Sequence, residues 1–343
     1  MSALIEPTPT ATLTPTFTFT TPTPTPTNTL TPTATPVPSA GAGWLLYHSN
    51  RPEPAANTAG AFNLYAADLS VSPPLVQRLT ANTDSNVRDE LPVWSPDHTR
   101  IAFTRRTGTA SDVCLLTLAT SAVVCTDTPA ENEDYPAWAD SGLYLAYVSD
   151  ADGEKDIYKH ALSDGGFAGS RVNLTHRAGT DGHDDYPDWH GDWIVYASTR
   201  DGNKELYVMF ADADALNAGD GQQRQQLTET TDKTHKQPAW SPLGDKIAYT
   251  RDTNGLDDTY VRPMTFSDGT WTPGPASMLT GGQPGEYRFM AWQSADMSQS
   301  TLAAVRDLNG DKDIVIITTG LGGGLSDPGA PVNSSAFEDD PDW

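Results

Sequence analysis

The sequence predicts an all-β protein, a six-bladed β-propeller with four-stranded blades that follows an extended Thr/Pro-rich N-terminal segment. Three observations predict this fold. A Pro-x-Trp motif recurs at a nearly constant interval, the same order of short strands and turns follows each motif, and each end of the chain carries an incomplete repeat. We expect the extended segment to occupy residues 1–41 and the propeller to occupy residues 42–343.

Tryptophan marks the repeat. Successive motif tryptophans are 44, 51, 51, 52 and 51 residues apart. They are Trp94, Trp138, Trp189, Trp240, Trp292 and Trp343. A fixed period of this length is typical of propeller blades, whereas a β-sandwich would not require one motif at one spacing. We therefore interpret these tryptophans as core residues between blades.

Each motif begins a unit of four predicted strands. A short apolar run follows the first five tryptophans, as at residues 101–103. A turn rich in Asp, Gly and Asn then leads to a third run, as at residues 156–158, and a more polar fourth run, as at residues 172–175, ends the unit. Four short strands joined by hairpin turns form a propeller blade.

The two ends of the chain are predicted to share the sixth blade. Trp343 belongs to a first strand, whereas residues 44–48 and 63–67 have the composition of second and third strands. Pairing of these segments completes one blade beside five whole repeats and removes the free sheet edge of an open ring.

The repeat resembles that of the TolB-type β-propeller family, whose pattern is Pro-x-Trp-Ser-Pro-Asp-Gly, a strand, a Gly-Asn turn and Asp-Ile-Tyr. The likeness rests on residues 94–97, 240–245, 201–203 and 156–158 and extends over about residues 44 to 343. The repeat of Trp292 departs from the pattern, because it lacks both the proline and the Ser-Pro-Asp turn. The resemblance implies a six-bladed propeller.

The charge of the chain excludes some partners. The sequence has 45 acidic and 21 basic residues, a net charge of −24, and all but one of the acidic residues follow residue 40. Phosphate binding needs clustered Lys and Arg, so nucleic acid is excluded as a partner and anionic membranes are disfavoured. No stretch approaches the roughly 18 apolar residues of a spanning helix, so no membrane span is predicted.

Acidic residues form two candidate metal sites. Carboxylates precede most first strands and should ring one mouth of the central channel, and two turns between second and third strands alternate oxygen ligands around a glycine. The turn residues are Asp150, Asp152, Asp156, Asp307, Asn309, Asp311 and Asp313. Such oxygen-rich sites suit Ca²⁺, the one cofactor that we consider. The alternative is that Asp and Asn only hydrogen-bond their own backbone in these turns.

The only two cysteines, Cys114 and Cys125, lie in consecutive predicted strands. A two-residue turn at 119–120 would place them directly opposite each other, about 5.5 Å apart at Cα, which is within the reach of a disulfide. The alternative is a pair of buried thiols. A disulfide would favour an oxidising compartment.

The N-terminal segment admits two interpretations. Its Thr-Pro alternation predicts a polyproline-like conformation, with Thr21, Thr23, Thr25 and Thr27 as candidates for O-glycosylation. Residues 16–20 instead alternate Phe17 and Phe19 with Thr, which is a strand pattern. The segment is therefore either a flexible stalk or a strand that assembles with a neighbouring propeller, another copy or a different protein.

Function is less strongly predicted than fold. No Gly-x-Ser-x-Gly motif occurs and the seven histidines are scattered, so no catalytic residue is assigned. Trp193 and Trp271 are the remaining candidates for sugar stacking. The sequence favours a non-enzymatic protein of the cell surface or exterior that binds or assembles, with a subunit of a glycosylated filament as one form of such assembly. The alternatives are a stalked surface receptor and a carbohydrate-active enzyme that uses the acidic mouth.

Overall fold

The computed structural model describes residues 43–50, 61–176, 182–211, 224–253, 255–281, 283–293, 301–319, 325–326 and 338–343. The predicted assembly residues Phe17 and Phe19 and the glycosylation candidates Thr21, Thr23, Thr25 and Thr27 lie outside the described residues. Within those ranges the regular elements are β-strands, and no helix there is long and apolar enough to cross a membrane.

The strands form six antiparallel sheets, which are the six predicted blades. Blade 1 comprises β4 (Val87–Trp94), β5 (Arg100–Thr107), β6 (Ala110–Thr117) and β7 (Ala122–Cys125). Blade 2 comprises β8 (Glu133–Trp138), β9 (Tyr144–Ser149), β10 (Asp156–Ser163) and β11 (Gly166–Asn173). Blade 3 comprises β12 (Asp184–His190), β13 (Trp193–Ser198), β14 (Glu205–Phe210) and β15 (Arg224–Gln226).

The other three blades have the same strand order, with two differences: blade 4 has an additional short strand, and blade 6 combines strands from both ends of the chain. Blade 4 comprises β16 (His235–Trp240), β17 (Lys246–Thr253), β18 (Leu256–Ser267) and β19 (Thr270–Pro273), with β20 (Ser277–Met278) also paired to β18. Blade 5 comprises β21 (Glu286–Trp292), β22 (Thr301–Leu308), β23 (Asp311–Thr318) and β24 (Leu325–Ser326). Blade 6 joins both ends of the chain in the order β25 (Glu338–Asp342), β1 (Trp44–Ser49), β2 (Asn63–Asp68) and β3 (Leu75–Arg78).

Ring closure by the two termini is confirmed. β25 pairs antiparallel with β1, with Leu46 opposite Asp342 and His48 opposite Asp339. Six clusters of buried apolar residues lie between neighbouring blades, and each contains at least one motif tryptophan. The motif tryptophans are therefore core residues between blades, as the sequence predicts.

A β-bulge interrupts every first strand. One residue of each bulge adopts the left-handed conformation, with φ between 49° and 55°. These residues are Leu91, Tyr135, Tyr186, Gln237, Phe289 and Asp340, and we call them the belt. The left-handed region is unfavourable for residues with bulky side chains. Because it recurs at the same position in all six first strands, we infer that the bulge requires this backbone conformation. A bulge changes the direction of the following side chains, and here it brings the Pro-x-Trp residues to the channel wall.

Cys114 and Cys125 are directly opposed in β6 and β7 and are joined through their Sγ atoms. Their Cα atoms are 3.9 Å apart, closer than the expected 5.5 Å. The reason is the register: the Thr126 N–H donates to the Val113 carbonyl at 3.0 Å, so the cysteines occupy the adjacent pair that lacks ladder hydrogen bonds. Opposed Cα atoms are closest at such positions.

Candidate functional site

The predicted acidic mouth exists, but it is neither open nor purely acidic. Among the described residues at the ends of the blades where the first strands begin, eleven of the 21 basic side chains form ion pairs with buried carboxylates. These bases are Arg88, Arg105, Arg106, Lys155, Arg171, Arg200, Lys204, Lys236, Arg288, Arg306 and Lys312. The carboxylates of the mouth thus have cationic partners instead of forming a solvated ring, which leaves calcium binding there a prediction with less support.

Several of these pairs connect adjacent blades. Arg106 of blade 1 contacts its own Glu90 at 2.8 Å and Asp134 of blade 2 at 2.5 Å. Arg288 of blade 5 contacts Asp257 of blade 4 at 2.6 Å. Burial raises the pKa of Asp134 even though Arg106 opposes the shift. At the mouth, buried carboxylates therefore pair with partly exposed cations, and several of these pairs join adjacent blades; Lys236 of blade 4 is one of the pairing cations.

The two acidic turns differ in the structure. Asp150 is turned away from its predicted partners, because its Oδ1 and Oδ2 accept hydrogen bonds from Asn132 N–H and Nδ2 at 2.6 and 2.8 Å. Asp152 and Asp156 do meet, since Asn173 Nδ2 donates to an oxygen of each at 2.9 and 2.8 Å. His176 adds a third group, with Nδ1 3.7 Å from Asp156, and one possible ligand atom from each of the three lies within 4.8 Å of the others.

The second turn is a hairpin with an Asn-Gly tip. Asn309 and Gly310 have φ of 60° and 89°, and the Gly310 N–H donates to Asp307 Oδ1 at 2.8 Å. Asp313 contacts Arg306 at 3.2 Å, and Asp311 is exposed. In the part of the chain that the structure describes, these four residues do not form a cluster of possible metal ligands.

Calcium binding stays a prediction: of the predicted turn ligands, Asp152 and Asp156 lie together, while the neighbouring His176 offers a nitrogen rather than the oxygen that calcium prefers. We expect millimolar Ca²⁺ to raise the melting temperature relative to chelator, because a ligand that binds only the folded state adds about 2.7 kcal/mol at a hundred times its Kd. Asp152→Asn should remove the effect and Asp311→Asn should not. Equal melting temperatures of the wild type in chelator and in calcium would contradict the prediction.

A cavity of about 480 Å³ lies on the axis, lined by the belt and by the Pro-x-Trp residues. Two of its lining residues are Asp188 and Asp342, the residues between Pro and Trp in blades 3 and 6. Because two blades lie between them on either side in a ring of six, they lie on opposite sides of the axis. Trp240 N–H donates to Asp188 Oδ2 at 2.5 Å, and Trp94 N–H donates to Asp342 Oδ2 at 2.6 Å.

Both carboxyl groups have raised pKa values. Burial raises the pKa of Asp188 to about 7, with Asp342 contributing further, and burial raises that of Asp342 to about 6. Sequence reasoning missed both residues. The repeat did contain a signal for them, since a carboxylate replaces the apolar residue that precedes Trp in the other four motifs. Those four residues are Val93, Ala137, Ala239 and Ala291.

Two of the three tryptophans outside the motif meet in one cluster between blades 3 and 4. Trp193 and Trp271 have ring centroids 5.9 Å apart, and Phe210 and Phe266 lie 5.4 and 5.2 Å from Trp193. We call these four residues the aromatic patch. Trp271 is buried, whereas Phe266 is 46% exposed. β19 is held against blade 3 because the Trp271 N–H donates to Gln225 Oε1 at 2.9 Å and Gln225 Nε2 donates to the Trp271 carbonyl.

The blade count, the repeat and the ring closure define a β-propeller of TolB type. Residues 82–272, more than half of the chain, match the TolB beta propeller domain, and the chain belongs to this family. No curated protein sequence matches the chain.

Solved structures agree with the fold. TolB from Acinetobacter baumannii is 17% identical, with a TM-score of 0.65 over 90% of this chain and 68% of TolB. Hydrazine synthase of Kuenenia stuttgartiensis is 12% identical, with a TM-score of 0.64 over 88% of this chain and 47% of the other. A puromycin hydrolase is 15% identical, with a TM-score of 0.51 over 84% and 45%. The chain thus spans about half the length of the last two proteins. At these identities the comparisons establish the propeller fold, which is compatible with non-enzymatic binding and also occurs within enzymes.

Proposed function

We propose that the protein is a non-enzymatic binding and assembly propeller of the cell exterior, and that its Thr/Pro-rich segment links one copy to the next. The observation that carries the proposal is the aromatic patch. Phe266 is 46% exposed beside the Trp193 and Phe210 rings, on a molecule whose net charge is −24. In this patch Phe266 is exposed and Trp193 and Phe210 are half-buried, and aromatic side chains at a charged surface are typical of protein contacts.

Charge favours the N-terminal segment as the occupant. Residues 41–343 contain 44 acidic and 21 basic residues, a net charge of −23, whereas residues 1–40 contain a single charged residue. Two such propellers repel each other, so a nearly uncharged segment is the part best able to dock on a second copy. In an extended strand Phe17 and Phe19 project to the same side, where they could contact an apolar surface while the strand adds to a blade edge.

A donor segment on one copy and an acceptor patch on the next make a heterologous contact, and repeated contacts of this kind that do not close give a filament. The disulfide of Cys114 and Cys125 supports an oxidising compartment outside the cytoplasm. Threonines beside prolines in the segment suit O-glycans, which would cover the part left exposed. The carbohydrate-active alternative has less support, since the carboxylates of the mouth are paired with cations.

The test compares particle size, by electron microscopy and analytical ultracentrifugation, for four proteins. We expect the full-length chain to form polymers, and a chain that lacks residues 1–39 to stay monomeric and folded. Phe17→Asp with Phe19→Asp should weaken assembly on the donor side. Phe266→Asp should weaken it on the acceptor side.

Leu256→Asp is the matched control. Leu256 is 54% exposed at the opposite end of β18 from Phe266, so the same charge is added to the same strand away from the patch. This variant should assemble like the wild type. A full-length protein that is monomeric at high concentration would instead favour the stalked receptor, and polymers formed without residues 1–39 would refute the linking role of the segment.

A further inference from the structure

We propose that the axial cavity binds an organic ammonium ion, held between Asp188 and Asp342 from opposite sides of the ring. This site is separate from the aromatic patch and does not depend on assembly. Its volume of about 480 Å³ is within the range of small-molecule sites. Among the described residues that line it, four are Asp and one is His, and none is Lys or Arg.

Asp188 and Asp342 differ from the other acidic residues of the cavity wall. Asp340 lies 3.0 Å from His48 Nδ1, and Asp140 lies 3.5 Å from His190 Nδ1. Asp188 and Asp342 accept hydrogen bonds from main-chain amides, which are neutral donors. Over the described part of the chain, neither of them forms a salt bridge with Lys, Arg or His.

Elsewhere in the propeller, buried carboxylates form ion pairs with cationic side chains. Glu90, Asp134 and Asp257 at the mouth each contact an Arg at 2.8 Å or less. Asp188 and Asp342 are half-buried, and a carboxylate that is partly removed from water without a cation is unfavourable; one response is to bind a proton. The raised pKa values of Asp188 and Asp342 match that response. A cationic ligand in the cavity would supply the missing charge.

The other side chains that line the cavity indicate which kind of cation would fit. Tyr135, Tyr186, Phe289 and Met290 line the cavity together with the prolines of the motifs. Aromatic faces attract ammonium groups, and apolar side chains suit methylene groups. A calcium ion requires about six to eight oxygen ligands, which two opposed carboxylates do not provide. The chemistry therefore fits an alkyl ammonium, and a linear diamine could reach both carboxylates.

Binding should release protons and depend on pH. A cation stabilises the ionised carboxylates, so it lowers their pKa values, which in the free protein are about 7 and 6. The amine itself stays protonated, because its pKa is about 10 like that of lysine. Affinity should thus be highest near pH 8 and fall as the carboxyl groups take up protons toward pH 5.5.

Isothermal titration of the full-length protein with 1,5-diaminopentane at pH 8 tests the proposal. We expect one molecule to bind per propeller, and butylamine to bind more weakly than the diamine. Asp188→Asn and Asp342→Asn should each weaken diamine binding at least about tenfold, the loss of one charge-assisted contact. The control Asp311→Asn removes the same charge from an exposed turn and should leave binding unchanged.

The outcomes are separable. Binding of several amine molecules per chain, with the same loss of affinity in all three variants, would mean nonspecific attraction to a polyanion and would overturn the proposal. Absence of binding of either amine at millimolar concentration would overturn it as well. The wild type gives a readout that requires no variant to fold: affinity for the diamine should fall at least tenfold between pH 8 and pH 5.5. A flat profile over this range would also refute the site.

Discussion

Removing residues 338–343 should destabilise the propeller by at least about 3 kcal/mol, the scale of a large truncation in a core. β25 is the innermost strand of blade 6, and its loss leaves the inner edge of β1 without a partner strand. The deletion also removes the buried Trp343 and the carboxylate of Asp340. In the intact protein this carboxylate raises the pKa of His48, against the lowering effect of burial. One hydrogen bond to the next blade, from Trp94 N–H to Asp342, disappears as well.

Thermal unfolding checks this expectation. A chain that ends at residue 337 should melt at least about 5 °C below the full-length protein. A chain that lacks residues 1–39 is the control, and at a dilution at which neither protein assembles it should melt with the full-length protein, since the deletion precedes β1. If the C-terminal truncation melted within about 2 °C of the parent, the ring would not depend on β25.

Arg106→Ala should destabilise the propeller by about 2–3 kcal/mol, somewhat below the 3–5 typical when a fully buried pair loses one partner. Arg106 is 32% exposed, so solvent screens part of the interaction. Its two carboxylates are nevertheless buried, and Arg106 is the Arg that contacts Asp134 at 2.5 Å. Because Glu90 also contacts Arg88 at 2.5 Å, most of the loss should fall on Asp134.

The pH dependence identifies the cause. Burial already raises the pKa of Asp134 in the folded state, so the folded state holds this proton more tightly than the unfolded state. The stabilisation that this pKa difference provides is present at low pH, and it is lost as the pH rises through the pKa that Asp134 has in the folded state. Removal of Arg106 increases the difference, and the destabilisation measured in urea should be larger at pH 8 than at pH 5.

Two further variants complete this test. Asp134→Asn added to Arg106→Ala should restore part of the lost stability, because the unpaired charge is gone. Lys233→Ala is the control: its partner Asp232 is 74% exposed, and such surface pairs contribute roughly 0–1 kcal/mol. Equal losses for Arg106→Ala and Lys233→Ala would mean that the mouth pairs do not stabilise the ring.

The fold could be predicted from sequence because the repeat encodes it locally. The spacing of the motif tryptophans fixes the blade length, and the two incomplete repeats fix the number of blades and the closure. The turn predicted at 119–120 also gave the opposition of Cys114 and Cys125. The bulges were not predictable, because nothing in Tyr135 or Phe289 favours a left-handed backbone; this conformation follows from the packing of six first strands around one axis.

The site was only partly predictable, for the same reason. The positions of the acids near the mouth follow from the repeat, but their partners do not. Arg106 reaches Asp134 across a blade interface, and the register of two different sheets decides that contact. Asp150 and Asp156 are neighbours in one turn, yet Asn132 binds the first and Asn173 the second. Trp193 and Trp271, 78 residues apart in sequence, meet only because β18 and β19 extend toward blade 3.

The interior position of β1 in blade 6 also bears on mechanical load. Any tension that reaches the propeller through residue 43 acts first on β1, which is hydrogen-bonded to β2 along its whole length and to β25 on its other side. When a strand is pulled along its own axis, the bonds on both sides must break together, whereas an edge strand can be peeled away one bond at a time. In a chain tethered by its N-terminal side, β1 could therefore leave the sheet only after its hydrogen bonds to both β2 and β25 had broken.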